Sequence, residues 1–339
     1  MRIGFVGAGA NTRDRHIPGF QAIEGIELAG VANRSRESGE RVAAQFGIAR
    51  VFDSPEALIA DPGVDAVCIG TCPYMHREFS IRALEAGKHV LCEARMAMDA
   101  DEAEEMLAAA ERHPELVAQI VPAPFDLRSG PTITRLLREG AIGEVREVTV
   151  ASQNGGALDP ATPIHWRQQM KYSGRNIGML GIWSEVIQRW LGDTRTVTAD
   201  GAIFVRERPD PTSGGMATVD IPDTVTVTGE LANGAHITYR VSSVAAGAPD
   251  NGINVYGTKG TIRWLPNDTA TIAAHGQPFE PIVPDAGTDR GWRVEEDFVN
   301  SVRTGAPVRL TNFADGLRYM QFVDAAWRSI NEGRAIELG

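Results

Sequence analysis

Near the start of the chain, Gly7-Ala8-Gly9-Ala10-Asn11-Thr12 has the residue types and spacing to hold a phosphate. The segment follows an apolar run over residues 2–7. A first glycine permits a tight turn, and a second lets the backbone approach a pyrophosphate. The helix that follows offers its N-terminal N–H groups to negative charge. The third position of the fingerprint falls on Thr12 rather than Gly or Ala, so the motif is imperfect, and glycine-rich turns after strands also serve packing alone. Its place at the head of a series of strand–helix units favours the dinucleotide reading. The second apolar run ends in Asn33-Arg34-Ser35-Arg36. An acidic residue there would accept hydrogen bonds from the ribose 2′-hydroxyl of NAD, whereas donors and positive charge suit a 2′-phosphate. The expected cofactor is NADP or NAD, with NADP favoured. The plainer alternative is that Arg34 and Arg36 are solvated residues opening a helix.

These groups need a scaffold, and the apolar pattern supplies one. Continuous apolar runs at 2–7, 27–32, 65–70, 89–92 and 116–121 read as buried strands, and 35–46, 76–86 and 99–112 as helices between them. Alternating strand–helix units with such strands imply a parallel sheet covered on both faces, the doubly wound architecture. After residue 121 the rhythm changes. Helices are expected at 131–139, 174–191, 293–303 and 313–332, with a strand at 144–151. Alternating runs at 223–231 and 236–244 flank Asn233-Gly234, a strong hairpin signal. A second hairpin joins 253–256 to 261–265. The expectation is an α/β Rossmann domain over 1–121, then an α+β domain over 122–339 with an open, mainly antiparallel sheet that binds substrate and self-associates.

Composition narrows the function classes. The chain has 339 residues, with 33 Lys plus Arg against 44 Asp plus Glu, a formal net charge of −11. That balance argues against a nucleic-acid or anionic-membrane partner, because phosphate backbones recruit Lys and Arg. The three cysteines, Cys68, Cys72 and Cys92, show no metal-ligand spacing and fit a reducing compartment. No apolar run approaches the length of a membrane span, and no signal segment precedes the first strand, so a cytoplasmic protein is expected. No His/Cys/Glu cluster suggests a metal, and no serine elbow suggests a hydrolase.

Two longer stretches are more specific: Ile69-Gly70-Thr71-Cys72-Pro73-Tyr74-Met75-His76 and Ala83-Leu84-Glu85-Ala86-Gly87-Lys88-His89-Val90-Leu91-Cys92-Glu93. With 138–145, 256–261 and 313–317 they closely resemble the glucose–fructose oxidoreductase / inositol dehydrogenase (Gfo/Idh/MocA) family, in the right order over nearly the whole chain. The resemblance implies hydride transfer between NAD(P) and a sugar, cyclitol or related polyhydroxylated molecule. It implies that Thr71, Cys72, Pro73 and His76 line the nicotinamide side of the cofactor, with Glu93, Ala94 and Arg95 nearby. It also implies a homodimer or tetramer formed through the C-terminal sheet, and a sheet covered on one face leaves the other available for that.

The sequence departs from the family where protons are handled. Members usually carry Glu-Lys-Pro after the strand that here spans 89–92, and the lysine assists proton movement; here the triplet is Glu93-Ala94-Arg95. Alanine cannot hold a proton, and arginine is a poor shuttle though a good clamp. The family's Asp-x-Gly-x-His on the long helix is replaced by Met179-Leu180-Gly181-Ile182-Trp183. Candidate replacements are Glu185 and the adjacent pair Lys171 and Tyr172. Glu185 either forms an i,i+4 ion pair with Arg189 or projects into the cleft between domains, where burial would raise its pKa. A tyrosine hydroxyl beside a lysine can protonate a carbonyl, though adjacent loop residues are commonly surface groups. Trp166 and Arg167, Arg175 and Asn176 at the helix start, and Trp183 are candidate substrate contacts; Trp166 is equally a core anchor. The leading expectation is an NAD(P)-dependent oxidoreductase acting on CH–OH groups with a non-standard proton donor. The alternatives are a catalytically silent NAD(P)-binding sensor or partner subunit, and an enzyme using bound NAD(P) as an internal redox carrier.

Overall fold

The computed structural model describes residues 1–247, 251–288 and 290–339. The chain forms two compact units: Met1–Pro122 with Arg293–Met320, and Ala123–Trp292 with Gln321–Gly339. The second unit is thus not the continuous stretch expected from residue 122 onward, because Arg293–Met320 packs with the first. No helix among the described residues is long and apolar enough to cross a membrane.

In chain order the first unit begins with strand β1 (Arg2–Val6), a wide π-helical turn (Thr12–His16) and helix α1 (Ile17–Gln21). Then come β2 (Glu27–Ala32), α2 (Arg36–Phe46), α3 (Pro55–Ile59), β3 (Ala66–Ile69), α4 (His76–Glu85), β4 (His89–Cys92), α5 (Ala100–Arg112) and β5 (Ala118–Ile120). The five strands form one sheet in the order β2-β1-β3-β4-β5, every pairing parallel. Its strands are buried almost throughout, as continuous apolar runs require when helices cover both faces. Ser35 and Asp99 cap α2 and α5, each accepting a backbone N–H three residues on.

The second unit contains α6 (Gly130–Arg138), β6 (Val145–Gln153), the single turn α7 (Met170–Ser173), α8 (Leu180–Leu191), and strands β7 (Thr194–Ala202), β8 (Glu207–Pro209), β9 (Met216–Thr218), β10 (Thr224–Leu231), β11 (His236–Ser242), β12 (Gly252–Gly257), β13 (Gly260–Leu265), β14 (Thr269–Ala274) and β15 (Glu280–Pro281). Helix α9 (Val294–Thr304) belongs to the first unit, α10 (Phe313–Glu332) passes from first to second at Met320, and β16 (Ile336–Glu337) closes the chain. Nine strands form an open sheet, β15-β14-β13-β12-β6-β11-β10-β7-β16. Only β6 and β11 pair in parallel; the other pairings are antiparallel. On one face Val225, Val227, Ile237, Tyr239 and Trp264 are buried. Trp183 and Trp190 of α8 meet Trp264 edge-on, and Phe322 of α10 packs on Tyr239. Thr226, Thr228 and Arg240 on the opposite face are exposed.

The long helix is shorter than its pattern suggests. It starts at Leu180 rather than 174, because Gly174 and Gly178 take positive φ of 61° and 49° and interrupt the helix before it.

Candidate functional site

In the first unit, β1 delivers the chain into Gly7, whose φ of +79° suits glycine. A Cβ there would lie 2.6 Å from Thr71 Cγ2, and one on Gly70 would lie 2.0 Å from Thr12 Oγ1 and 2.3 Å from the Gly7 carbonyl oxygen. The turns after β1 and β3 therefore touch through bare backbone. Thr12 fills the place of the third fingerprint glycine and is buried, its hydroxyl donating to the Gly7 carbonyl at 3.4 Å. Gly9 and Ala10 are exposed at the opening of the helical segment. Backbone stripped of side chains in front of exposed helical N–H groups is the arrangement a pyrophosphate requires, so these residues fit a dinucleotide.

At the end of β2, Asn33 Oδ1 accepts the Ala8 N–H at 2.7 Å, and its Nδ2 donates to Ser38 Oγ at 3.1 Å. Asn33 thus ties the β2 end to the glycine turn. Ser35 caps α2. Arg36 is held by Asp53 and by Glu40 at 3.0 Å. Arg34 is exposed, and no carboxylate pairs with it among the described residues.

The segments after β3 and β4 are stapled by His76. Its ring is fully buried, with Nδ1 2.9 Å from the Arg95 carbonyl and Nε2 3.0 Å from the Thr71 carbonyl. Burial is the main influence on its pKa and lowers it, against the pull of those carbonyls. Pro73 is buried and Cys72 partly so. Ala94 is half-buried, Arg95 is buried, and the peptide between them is cis. The structure therefore brings Thr71, His76 and Arg95 together, and Glu93 with Asn11, whose Nδ2 donates to Glu93 Oε1.

Glu93 also faces a residue that the sequence reading did not single out. His16, fully buried, places Nε2 3.0 Å from Glu93 Oε1 and Nδ1 2.5 Å from Glu295 Oε1. Burial is the largest single influence on His16 and disfavours the imidazolium. The hydrogen bonds and charges of Glu295 and Glu93 together outweigh it and lift the pKa to about 9. For Glu93, burial raises the pKa, but His16 and Asn11 prevail and hold it below the usual carboxylate range. The result is a buried carboxylate–imidazolium–carboxylate row with one net negative charge. Its Glu93 directly follows β4, its His16 closes the turn after β1, and Glu295 comes from α9. In a doubly wound sheet, ligands bind beyond the strand C-termini at the point where the strand order reverses.

In the second unit, Arg167 lies flat over the Trp166 ring at 4.1 Å. Lys171 Nζ lies 4.8 Å from the Tyr172 ring centroid. Arg175 is paired with Asp324 at 2.8 Å, and buried Asn176 donates to the Ser173 carbonyl at 2.6 Å. Trp183 is buried and stacks on Phe125 at 4.4 Å. Glu185 is buried too; its two oxygens each accept the Ala123 N–H at 3.1 Å, and Arg189 stands 3.8 Å away. Arg189 also pairs with Asp126 at 3.1 Å. Burial, against the attraction of Arg189, lifts the Asp126 pKa to about 7. A cavity of about 410 Å³ is lined by Arg167, His165, Asn154, Met179, Arg208 and Asp223 among others. Of the candidate substrate contacts it takes in Arg167; the lining does not reach Trp166, Arg175, Asn176, Trp183, Tyr172 or Glu185.

Comparison with known proteins identifies two family matches. Residues 1–120 match the oxidoreductase family with an NAD-binding Rossmann fold, and residues 132–263 match the GFO/IDH/MocA C-terminal domain. The chain is similar to levoglucosan dehydrogenase of Pseudarthrobacter phenanthrenivorans, 30% identical over 68% of this chain and 63% of that one. It is similar to myo-inositol 2-dehydrogenase of Thermotoga maritima, 24% identical over 100% of this chain and 98% of that one. A solved structure of levoglucosan dehydrogenase in complex with NADH and L-sorbose superposes with a TM-score of 0.88 at 23% identity, covering 100% of this chain and 99% of that chain.

Proposed function

Because the chain belongs to the GFO/IDH/MocA oxidoreductase family, we propose that it transfers a hydride between NADP or NAD and a CH–OH carbon of a sugar, cyclitol or related polyhydroxylated molecule. The observation that carries this reading is the bare turn at Gly7, closed against Thr71, in front of an exposed helix start. The named activities of the relatives support the substrate class, since levoglucosan and myo-inositol are both polyhydroxylated rings.

When bound, the nicotinamide supplies or accepts the hydride; this chain's residues position, shield and handle the proton. Gly7, Gly9, Ala10 and Asn11 would hold the pyrophosphate. Thr71, Cys72 and Pro73, braced by His76, would form the wall beside the reactive ring, with Glu93, Ala94 and Arg95 completing it. For the adenosine end, Asn33, Arg34 and Ser35 favour NADP. Arg34 has no acid partner among the described residues, and the capped start of α2 adds N–H groups for a phosphate. Trp166 and Arg167 would meet the substrate, with Arg175, Asn176 and Trp183 supporting that region.

We assign the proton donor to Tyr172, whose hydroxyl has the Lys171 ammonium against its ring. Glu185 is the competing donor, with its carboxylate held by the Ala123 amide and Arg189. The open sheet face is read as the contact between copies, in a dimer or tetramer. Calorimetric titration with NADP and NAD, followed by a screen of sugars and cyclitols for reduced nicotinamide, tests the reading. Tight cofactor binding with no turnover across the screen would favour a sensor. Cofactor already bound on purification, with no net reduction of added nucleotide, would favour an internal redox carrier. Failure to bind either nucleotide removes the proposal.

A further inference from the structure

The row of Glu93, His16 and Glu295 carries its charge to the end of the sheet where a nucleotide would lie, and we infer that it biases the choice between the two redox states of that nucleotide towards the oxidised form. This rests on the dinucleotide reading above and deepens it.

The row draws on distant parts of the chain. Glu93 directly follows β4, Glu295 comes from α9, and both meet the ring of His16 in the turn after β1. Gly19 in α1 leaves the room that Glu295 takes: a Cβ there would lie 2.8 Å from its carboxylate. Ionised carboxylates accept hydrogen bonds and cannot donate them, so each ring nitrogen must carry a hydrogen for its own partner. A ring with both nitrogens protonated is an imidazolium, in keeping with the upward shift of His16. Two carboxylates and one imidazolium leave a single negative charge. His16 and Glu295 are closed off, with 0% and 4% of their side chains exposed, whereas Glu93 keeps 15%. The row therefore faces solvent through Glu93.

The strand order indicates which part of a nucleotide would meet that carboxylate. Asn33, Arg34 and Ser35 follow β2 and suit the adenosine, and the bare turn at Gly7 follows β1 and suits the pyrophosphate. In the order β2-β1-β3-β4, the ends of β3 and β4 are left for the nicotinamide, and Thr71 and Glu93 lie there. Asn11 joins the two regions, donating from the glycine turn to Glu93. The oxidised nicotinamide ring carries a positive charge and the reduced ring carries none, so a negative charge beside it attracts only the first. Neighbouring titratable groups are silent. Burial pushes His76 down and pushes Cys68 and Cys92 up, so all three are neutral near pH 8. Arg13, Asp14 and Arg15, on the same turn as His16, are exposed and screened by solvent. Arg95, buried two residues after Glu93, contributes the same charge in every form compared below.

The test is calorimetry on the full chain at pH 8 with the oxidised and reduced forms of whichever nucleotide it binds, read as the ratio of the two dissociation constants. Glu93→Gln removes the charge nearest the ring and should shift that ratio about three- to tenfold towards the reduced form. His16→Gln removes the compensating positive charge and should shift it by a similar factor towards the oxidised form. A purely structural role would weaken both forms together in both variants, so shifts of opposite sign are the signature. The native chain provides a check without substitution. Between pH 7 and pH 9.5 the imidazolium loses its proton through about 9, and the ratio should move towards the oxidised form. If His16→Gln does not fold, Glu93→Gln and the pH series decide. The inference is overturned if a folded variant leaves the ratio within about twofold of native or moves it the opposite way, or if the native ratio is constant over that pH range. Equal weakening of both forms sinks this inference and leaves the dinucleotide reading standing, whereas failure to bind either nucleotide sinks the reading itself.

Discussion

The His16 row gives the most quantitative prediction. The imidazole ordinarily titrates near 6.5 and does so near 9 in the folded chain. Each unit of such a difference corresponds to about 1.4 kcal/mol, so the protonated ring contributes about 3 kcal/mol to folding of the first unit. The same interaction depresses Glu93, so the two shifts describe one contribution and are not added. Because the folded pKa is the higher one, this stabilisation is fully present below pH 6.5. It is lost progressively as the pH rises through 9.

The perturbation is His16→Gln, which keeps a hydrogen-bonding side chain between Glu93 and Glu295 but cannot carry charge. The assay is thermal unfolding followed by far-UV circular dichroism and by tryptophan fluorescence, from pH 6 to pH 9.5. All six tryptophans lie outside 1–122 and 293–320, so fluorescence follows the second unit and isolates the first by difference. For a unit of this size, 3 kcal/mol corresponds to roughly 6–12 °C in Tm. The gap between native and variant chains should be of that order at pH 6 and should shrink as the pH approaches 9.5. Buried Cys68 and Cys92, whose thiols burial pushes up, also lose stabilisation at the alkaline end, but equally in both chains. A gap that stays constant over the whole range would show that the ring is not held as an imidazolium, and the reasoning would fail.

Three further perturbations are specific. Gly7→Ala places a Cβ against Thr71 at positive φ; dinucleotide affinity should fall at least about tenfold, since the left-handed conformation alone costs about 1–2 kcal/mol, and wild-type affinity in a calorimetric titration would contradict the seat. Arg34→Glu should reduce the ratio of NADP to NAD affinity by roughly 10–100-fold, in keeping with loss of a charged hydrogen bond; an unchanged ratio would remove Arg34 from the 2′-phosphate site. Tyr172→Phe should lower kcat by about 10²–10⁴ with little change in nucleotide Kd, whereas a drop confined to Glu185→Gln would transfer the donor role.

Most of the fold is legible because its signals are local. The β3 run is apolar from end to end, β1 and β4 are so after their first residues, Arg2 and His89, and Asn233-Gly234 marks its hairpin directly. β7 is not legible because its buried residues are Thr194 and Val197 alone, so Thr-Arg-Thr-Val-Thr shows little contrast between faces. The glycine turn and the Thr71–Glu93 segment are likewise readable from short motifs. The partners of Glu93 are not. His16 sits in a turn whose π-helical widening no simple period anticipates, and Glu295 lies 279 residues further along. Arg208 stands on a three-residue strand among polar neighbours, where nothing in the local pattern foretells burial.

The return of Arg293–Met320 to the first unit has a consequence for biosynthesis. The Thr311 carbonyl accepts the Ile120 N–H at 2.8 Å, Tyr319 Oη accepts the Met96 N–H at 2.6 Å, and Glu295 completes the His16 row. A ribosome that has released only the first 122 residues has therefore emitted an unfinished nucleotide-binding half, with the β5 margin bare and His16 short of one counter-charge. That half must wait, partly open, while residues 123–292 are threaded out. Fragments ending near residue 122 should consequently be poor folders, and chaperone dependence should centre on the earliest-made part of the polypeptide.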